Sequence, residues 1–246
     1  MPSRNQTVYL VTGANRGIGF GVVKALSERS NVLIFATARD PKKAGALNDL
    51  AAEKGNIKVI QLDVTNEGSA TAAASIVEEQ GDRVDVVIAN AGIGDESTFG
   101  PVIGHALDTY RQYFEVNTLG PVVIANTFVP LLNKSENPKF VLISSAGGSF
   151  GLSMAVPMTP YLISKAAANF FALKMHQELT NIAIVALSPG MVQTDMGAVG
   201  ARYFGMQKLP LTADDSAAAI LKIADTATRD SHGGKFWDYT GEVLPW

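Results

Sequence analysis

Six short apolar runs, with a seventh candidate, alternate along this chain with stretches of helical character. That alternation limits what it can fold into more than any other feature. The runs are TVYLVT (Thr7–Thr12), VLIFAT (Val32–Thr37), IKVIQL (Ile57–Leu62), VDVVIA (Val84–Ala89), KFVLIS (Lys139–Ser144) and IAIVAL (Ile182–Leu187), with KFWDY (Lys235–Tyr239) as the seventh. Within each run apolar character is almost continuous instead of alternating. A strand with one wet face alternates, whereas a strand covered on both faces does not. The runs are therefore expected to form a parallel sheet buried between helices, with GFGVVKALSER and SATAAASIVEEQ among the helical candidates. This predicts an α/β fold, a doubly wound parallel sheet with helices on both faces. No linker, repeat or low-complexity segment is evident, so one domain over 1–246 is the simplest reading.

Composition agrees with a large core: 47% of residues are hydrophobic and 17% charged, a balance that argues against disorder. The net charge of −3 comes without a basic cluster, so nucleic-acid binding is not expected. The absence of cysteine excludes disulfides and thiolate metal sites, and three widely separated histidines point to no metal centre. The first residues lack a basic segment followed by an apolar stretch, no apolar run reaches membrane-spanning length, and EVLPW carries no lipidation motif. A cytoplasmic protein without membrane contact is the expectation. The sequons at Asn5 and Asn133 are read as chance without a secretion signal.

In such sheets ligands bind beyond the carboxyl ends of the strands, so chemistry is sought just after each run. TGANRGIG (Thr12–Gly19) follows the first run and opens a helix. Gly13 suits a tight turn. Gly17 and Gly19 let backbone approach a pyrophosphate and let helix pack on strand. The free N–H groups of the helix start then face the phosphates. A plain structural turn is the alternative, and the strand–loop–helix context favours dinucleotide binding. The spacing G-x-x-x-G-x-G, taken with motifs further along, resembles the short-chain dehydrogenase/reductase family from Val8 to about Thr194. The resemblance implies a Rossmann-like NAD(P)-binding domain with Asn15, Arg16 and Ile18 among the loop contacts.

The end of the second run reads ATARDP. Asp40 here could accept from a ribose 2′-OH and favour NAD. Arg39 lies nearer the strand end, however, and Arg16 can reach the same region. Two guanidiniums suit a 2′-phosphate, and in the family this pairing implies NADPH; the bland alternative is an Arg39 paired with Asp40. The resemblance further implies that Asp63 and Val64 (LDVT) lie at the adenine. It puts Asn90, Ala91 and Gly92 (ANAG) at the ribose, and Pro189, Gly190, Val192 and Thr194 (SPGMVQT) near the nicotinamide and phosphates.

YLISK places Tyr161 and Lys165 four residues apart, hence on one helix face. A free tyrosine has a pKa of about 10, and poising it near 7 takes roughly 4 kcal/mol of differential stabilisation. A lysine cation beside it suits that task, and both residues would also contact the cofactor. By resemblance, Ser145 binds the substrate carbonyl, with Ser144 a candidate for the same role. Asn117 holds a water that links the lysine to solvent; alternatively it is a polar residue bending a long helix. The combination implies NADPH-dependent reduction of a ketone or aldehyde, and the nearest likeness is to ketoreductases of the norsolorinic acid type and small carbonyl reductases.

Residues 194–211 occupy the position of the family's substrate lid. Tyr203, Phe204 and Met206, with Phe150, Leu152 and Met154, suggest an apolar or aromatic substrate, or simply pack the lid. The helices around 108–129 and 162–179 are candidates for a homodimer or homotetramer interface. Two rivals stand beside the reductase: an NADP(H)-binding regulatory protein of the same fold, and a serine hydrolase using Ser149 in GGSFG. The second needs a helix directly after the serine, where prolines follow instead.

Overall fold

The computed structural model describes residues 6–246, so the Asn5 sequon and the start of the N-terminal stretch read above for a signal segment lie outside the described residues. The elements in order are β1 (Thr7–Val11), α1 (Gly17–Ser27), β2 (Val32–Ala38), α2 (Gly45–Lys54), β3 (Ile57–Gln61), α3 (Glu67–Gly81), β4 (Val86–Ala89), α4 (Leu107–Phe114), α5 (Gly120–Leu132), β5 (Lys139–Ile143), α6 (Thr159–Glu178), β6 (Ala183–Ser188), α7 (Asp195–Tyr203), α8 (Ala213–Thr226), β7 (Phe236–Asp238) and β8 (Val243–Leu244). The strands form one sheet in the order β3-β2-β1-β4-β5-β6-β7-β8. Every neighbouring pair is parallel except β7–β8.

The continuous apolar runs mean what they were read to mean. β2, β4 and β6 are buried along their whole length, because successive side chains feed two separate cores. Val8 and Leu10 point into one core with α3, α5 and α6, which contribute Val77, Phe128 and Met175. Tyr9 and Val11 point into the other with α1, α2 and α8, which contribute Val22, Leu47 and Ile220. The winding direction reverses between β1 and β4, so a crevice opens beyond Val11 and Ala89, where such sheets bind ligands.

Three features depart from the expectation. β8 was not foreseen: two residues are too few to show a pattern, and Phe236 and Leu244 pair across it. α1 starts at Gly17, because the loop glycines themselves form the first turn. Finally, Leu107–Leu132 is long and apolar enough by composition to cross a membrane, although no single run looked so. Half of that window is buried inside the fold, packed on α3 and α6, as a core helix is. It is interrupted by a π-helical turn at Glu115–Leu119.

Candidate active site

The glycine loop joins β1 to α1 at the crevice. Gly13 and Gly17 take φ of +64° and +56°, the left-handed region that favours glycine. A Cβ on Gly19 would lie 2.4 Å from the Gly13 carbonyl oxygen and 2.5 Å from Asn90 Nδ2, so the helix start can only close on the loop without a side chain. No side chain caps the first turn of α1, which leaves amide groups directed at the crevice. Ile18 packs on the α1 core, while Asn15 and Arg16 are exposed. This is a cradle with the shape and polarity that a dinucleotide pyrophosphate needs.

The ends of the neighbouring strands complete the shelf. Asn90 Nδ2 donates to the carbonyls of Thr12 and Gly13 at 2.9 and 3.2 Å, and Thr12 Oγ1 accepts from Asn90 N and Ala91 N. These bonds lock β4 to the glycine loop; Thr12 had not been singled out. Arg39 is exposed just past β2. Asp40 does not pair with it: the carboxylate caps the following turn by accepting from Lys42 N and lies 3.4 Å from Lys43 Nζ, so the Arg39 head is not engaged by it. Asp63 Oδ1 accepts from Thr65 N and Oγ1, while Asn66 caps α3. Val64 is buried against Gly120.

After β6, Gly190 adopts φ +81° with Leu211 and Tyr239 where a Cβ would stand. Pro189 is held through its carbonyl by Ser216 Oγ. Val192 is buried and forms a bridge with Leu211. Thr194 caps α7 by accepting from Gly197 N at 3.0 Å, and its methyl lies beside Gly17. Strand ends far apart in sequence thus converge on one shelf.

The four residues expected to be catalytic are built on β5, the π turn and α6. Lys165 is 6% exposed; its Nζ donates to Ile143 O at 2.9 Å and stands 6.0 Å from the centre of the Tyr161 ring. Burial pulls the Lys165 ammonium down to about 8. Tyr161 is half-buried. Burial pushes its hydroxyl above the ordinary range, a hydrogen bond with the Ser145 side chain pulls it back, and Tyr113 pushes it up again. Tyr113 meets Tyr161 edge to face at 6.3 Å and accepts from Asp95 N at 2.8 Å. The Lys165 ammonium stands 6.0 Å from the ring centre and is not among the groups that shift the Tyr161 hydroxyl here.

The two adjacent serines have different surroundings. Ser144 is 2% exposed and its hydroxyl donates to Asn169 Oδ1. Ser145 caps a short 3₁₀ turn by accepting from Gly147 N, and of the two serines it is the one that pulls the Tyr161 hydroxyl down. Only Ser145 is therefore turned to the tyrosine.

Asn117 lies where the long helix breaks, in the π turn, and such turns cluster at functional sites. Its Oδ1 accepts from Ile93 N at 2.8 Å, and its Nδ2 donates to Ile93 O and Ser164 Oγ at 3.1 Å each. Ser164 Oγ donates in turn to the Tyr161 carbonyl at 2.7 Å. Ser164 and Tyr113 carried no sequence signal, because their partners lie far along the chain. A Cβ on Gly92 would stand 3.1 Å from Asn117 Oδ1 and 3.6 Å from Lys165 Nζ, so this glycine keeps the space before both groups open.

Ser149 is no nucleophile elbow. It is 5% exposed, donates to Pro245 O at 2.6 Å, and is followed by turns instead of a helix. Among the described residues no cluster of His, Asp and Glu is arranged to hold a metal.

α7 lies within 194–211 and has no buried residue. It is tied to the body by Arg16–Asp195 and Arg202–Glu96 ion pairs, each at 2.9 Å, and by a Phe99–Tyr203 stack at 4.1 Å. A cavity of about 290 Å³ between these elements is lined by Glu96, Phe99, Val199, Arg202 and Tyr203; Tyr161 is not among its walls. Phe150 is 83% exposed, and Leu152, Met154, Phe204 and Met206 are each between 37% and 47% exposed, so part of this apolar surface is free.

A family model described as short chain dehydrogenase matches residues 7–201. A norsolorinic acid ketoreductase of Aspergillus parasiticus is 37% identical over 98% of this chain and 92% of its own length. An uncharacterized oxidoreductase of Schizosaccharomyces pombe is 32% identical over 97% of both chains. Among solved structures, the NADPH-bound carbonyl reductase from chicken fatty liver superposes with a TM-score of 0.87 at 32% identity, covering 99% of this chain and all of the other.

Proposed function

The chain belongs to the short-chain dehydrogenase family, and on that premise we propose that it reduces the carbonyl of an apolar or aromatic ketone or aldehyde to the alcohol with NADPH. The observation that carries the reading is the pairing of Tyr161 and Lys165 on one face of α6, with the buried ammonium 6.0 Å from the Tyr161 ring centre and Ser145 pulling the tyrosine hydroxyl down. NADPH, when bound on this shelf, would supply the hydride for the carbonyl carbon. Ser145 holds the carbonyl oxygen and stabilises its developing charge. Tyr161 hands the same oxygen its proton. Lys165, with a pKa of about 8, is mostly protonated at pH 7 and favours the tyrosinate left behind. Asn117 holds the π turn and the Ile93 backbone in register beside Lys165. The glycine loop binds the pyrophosphate, and the exposed guanidiniums of Arg16 and Arg39 are suited to a 2′-phosphate.

The names of the relatives support this substrate class, as do the aromatic and methionine side chains exposed near the lid. A pairing surface on α6 and the π turn, where Phe170 is 64% and Leu119 46% exposed, would make the protein an oligomer. The testing experiment is turnover of NADPH and, separately, NADH against aliphatic and aromatic ketones. NADPH consumption with aromatic ketones, abolished in Tyr161→Phe, is the expected outcome. Tight NADPH binding with no turnover of any carbonyl would favour the regulatory protein instead.

A further inference from the structure

GGSFG does not carry hydrolase chemistry, yet its serine is built in with unusual care. Ser149 Oγ donates to Pro245 O at 2.6 Å and accepts from Leu152 N at 3.0 Å. Gly151 N donates to Trp246 O at 2.8 Å. The Trp246 ring stacks on Phe236 at 5.7 Å, and Phe236 is fully buried in β7. Residues 245–246, just past β8, thus form a strap across the loop that begins at Ser145.

The strap holds the loop from one side only. On the other side, Asn169 Nδ2 donates to Gly148 O, and a Cβ on Gly148 would lie 2.8 Å from the Lys165 carbonyl carbon. Ala146 N is bonded to Ser188 Oγ. Residues 145–148 are therefore fixed to α6 and β6 whether the strap is present or not. Beyond Ser149 the loop changes character. Phe150 and Met154 are 83% and 47% exposed, and Ser153 takes φ +45°, a conformation that serine rarely adopts.

The structure assigns Ser149 as a positioning residue: through its bond to Pro245 it places the apolar 150–154 segment relative to Ser145, and so sets which carbonyl substrates are accepted by size. This deepens the proposed reductase reading and rests on it. Small ketones need only Ser145 and Tyr161, which keep their own anchors. Bulky ketones reach the 150–154 segment and need it held.

The test compares native protein with Ser149→Ala, and with Gly151→Ala, whose Cβ would meet Pro245 Cβ at 2.6 Å and displace the strap while leaving the serine. Steady-state KM and kcat are measured for a single-ring and a multi-ring aromatic ketone, with the NADPH Kd from fluorescence titration. The expected result is a 5- to 20-fold rise in KM for the multi-ring ketone in either variant, with its kcat, the small-ketone constants and the cofactor Kd within twofold of native. Unchanged KM for both ketones in a folded variant, or an equal loss for both together with weakened NADPH binding, would overturn it. A native protein that turns over no ketone would instead refute the reductase reading, which separates the two failures.

Discussion

Arg16 Nη1 donates to Asp195 Oδ2 at 2.9 Å, which joins the glycine loop to the first turn of α7. Both side chains are largely exposed, at 70% and 79%, so the pair is worth no more than about 1 kcal/mol. Its consequence lies in competition. The guanidinium expected at a 2′-phosphate is already partnered, and that partner sits on the first turn of α7.

Asp195→Asn is therefore expected to tighten NADPH binding by about two- to fivefold, the reach of a surface ion pair, with NADH binding unchanged. Arg16→Ala should do the reverse, weakening NADPH about tenfold while sparing NADH, since a charge-assisted bond to phosphate is lost. Fluorescence titration with each cofactor at two salt concentrations checks both variants. Equal effects on the two cofactors would remove Arg16 from 2′-phosphate recognition.

Tyr161→Phe keeps the ring against Tyr113 and removes only the hydroxyl. Loss of a positioned acid is expected to lower kcat by about 10²- to 10⁴-fold, while NADPH Kd stays within a few-fold. Ser144→Ala is the contrasting variant: it strips Asn169 of its donor, so thermal stability should fall by about 1–2 kcal/mol with kcat retained. If Ser144→Ala instead silenced catalysis and Ser145→Ala did not, the two serines would exchange roles.

The sheet was legible because burial on both faces leaves a mark on every residue of a strand, and the strand ends then point to the site. Gly13, Gly17 and Gly19 were legible because a tight turn and a close approach exclude side chains. The choice between Ser144 and Ser145 was less so, because adjacent residues leaving a strand face opposite ways and only the surroundings decide which meets Tyr161. Thr12, Tyr113 and Ser164 were invisible, since hydrogen bonds to partners far along the chain have no local pattern. β8 was too short to carry a period. The hydrolase rival at Ser149 could be set aside from the sequence because G-x-S-x-G describes only a spacing and an elbow also requires a helix, whereas the bond from Ser149 to Pro245 had no local pattern to reveal it.

Asn117 offers a test of the π turn. Asn117→Ala would leave Ile93 N and O and the Ser164 hydroxyl without their partner in a buried setting, costing about 2–3 kcal/mol. The damage should be local. Amide hydrogen exchange is expected to accelerate around Ile93 and the 115–119 turn while β1, β2 and β6 keep their protection. Uniform acceleration across the sheet would mean that Asn117 supports the whole fold and not this junction.

Lys165 carries a cost that can be measured directly. Its pKa is lowered from 10.5 to about 8 by burial, so below pH 8 the folded protein holds a cation that the unfolded chain solvates better. A shift of that size corresponds to about 3 kcal/mol, partly offset by the bond to Ile143 O, which is worth about 1 kcal/mol. Lys165→Met keeps the volume and removes the charge, and is expected to stabilise the protein at pH 7 by about 2 kcal/mol while abolishing reduction. Between pH 8 and 10.5 the unfolded lysine still binds a proton that the folded one has lost, so native stability contributed by this group rises with pH. The gap between native and variant should accordingly be widest below pH 8 and shrink steadily toward pH 10, as read by denaturant unfolding at a series of pH values. A gap independent of pH would place the folded Lys165 pKa near its ordinary value, and the ammonium would then sit in a far wetter site than its burial beside Ile143 and Gly148 indicates.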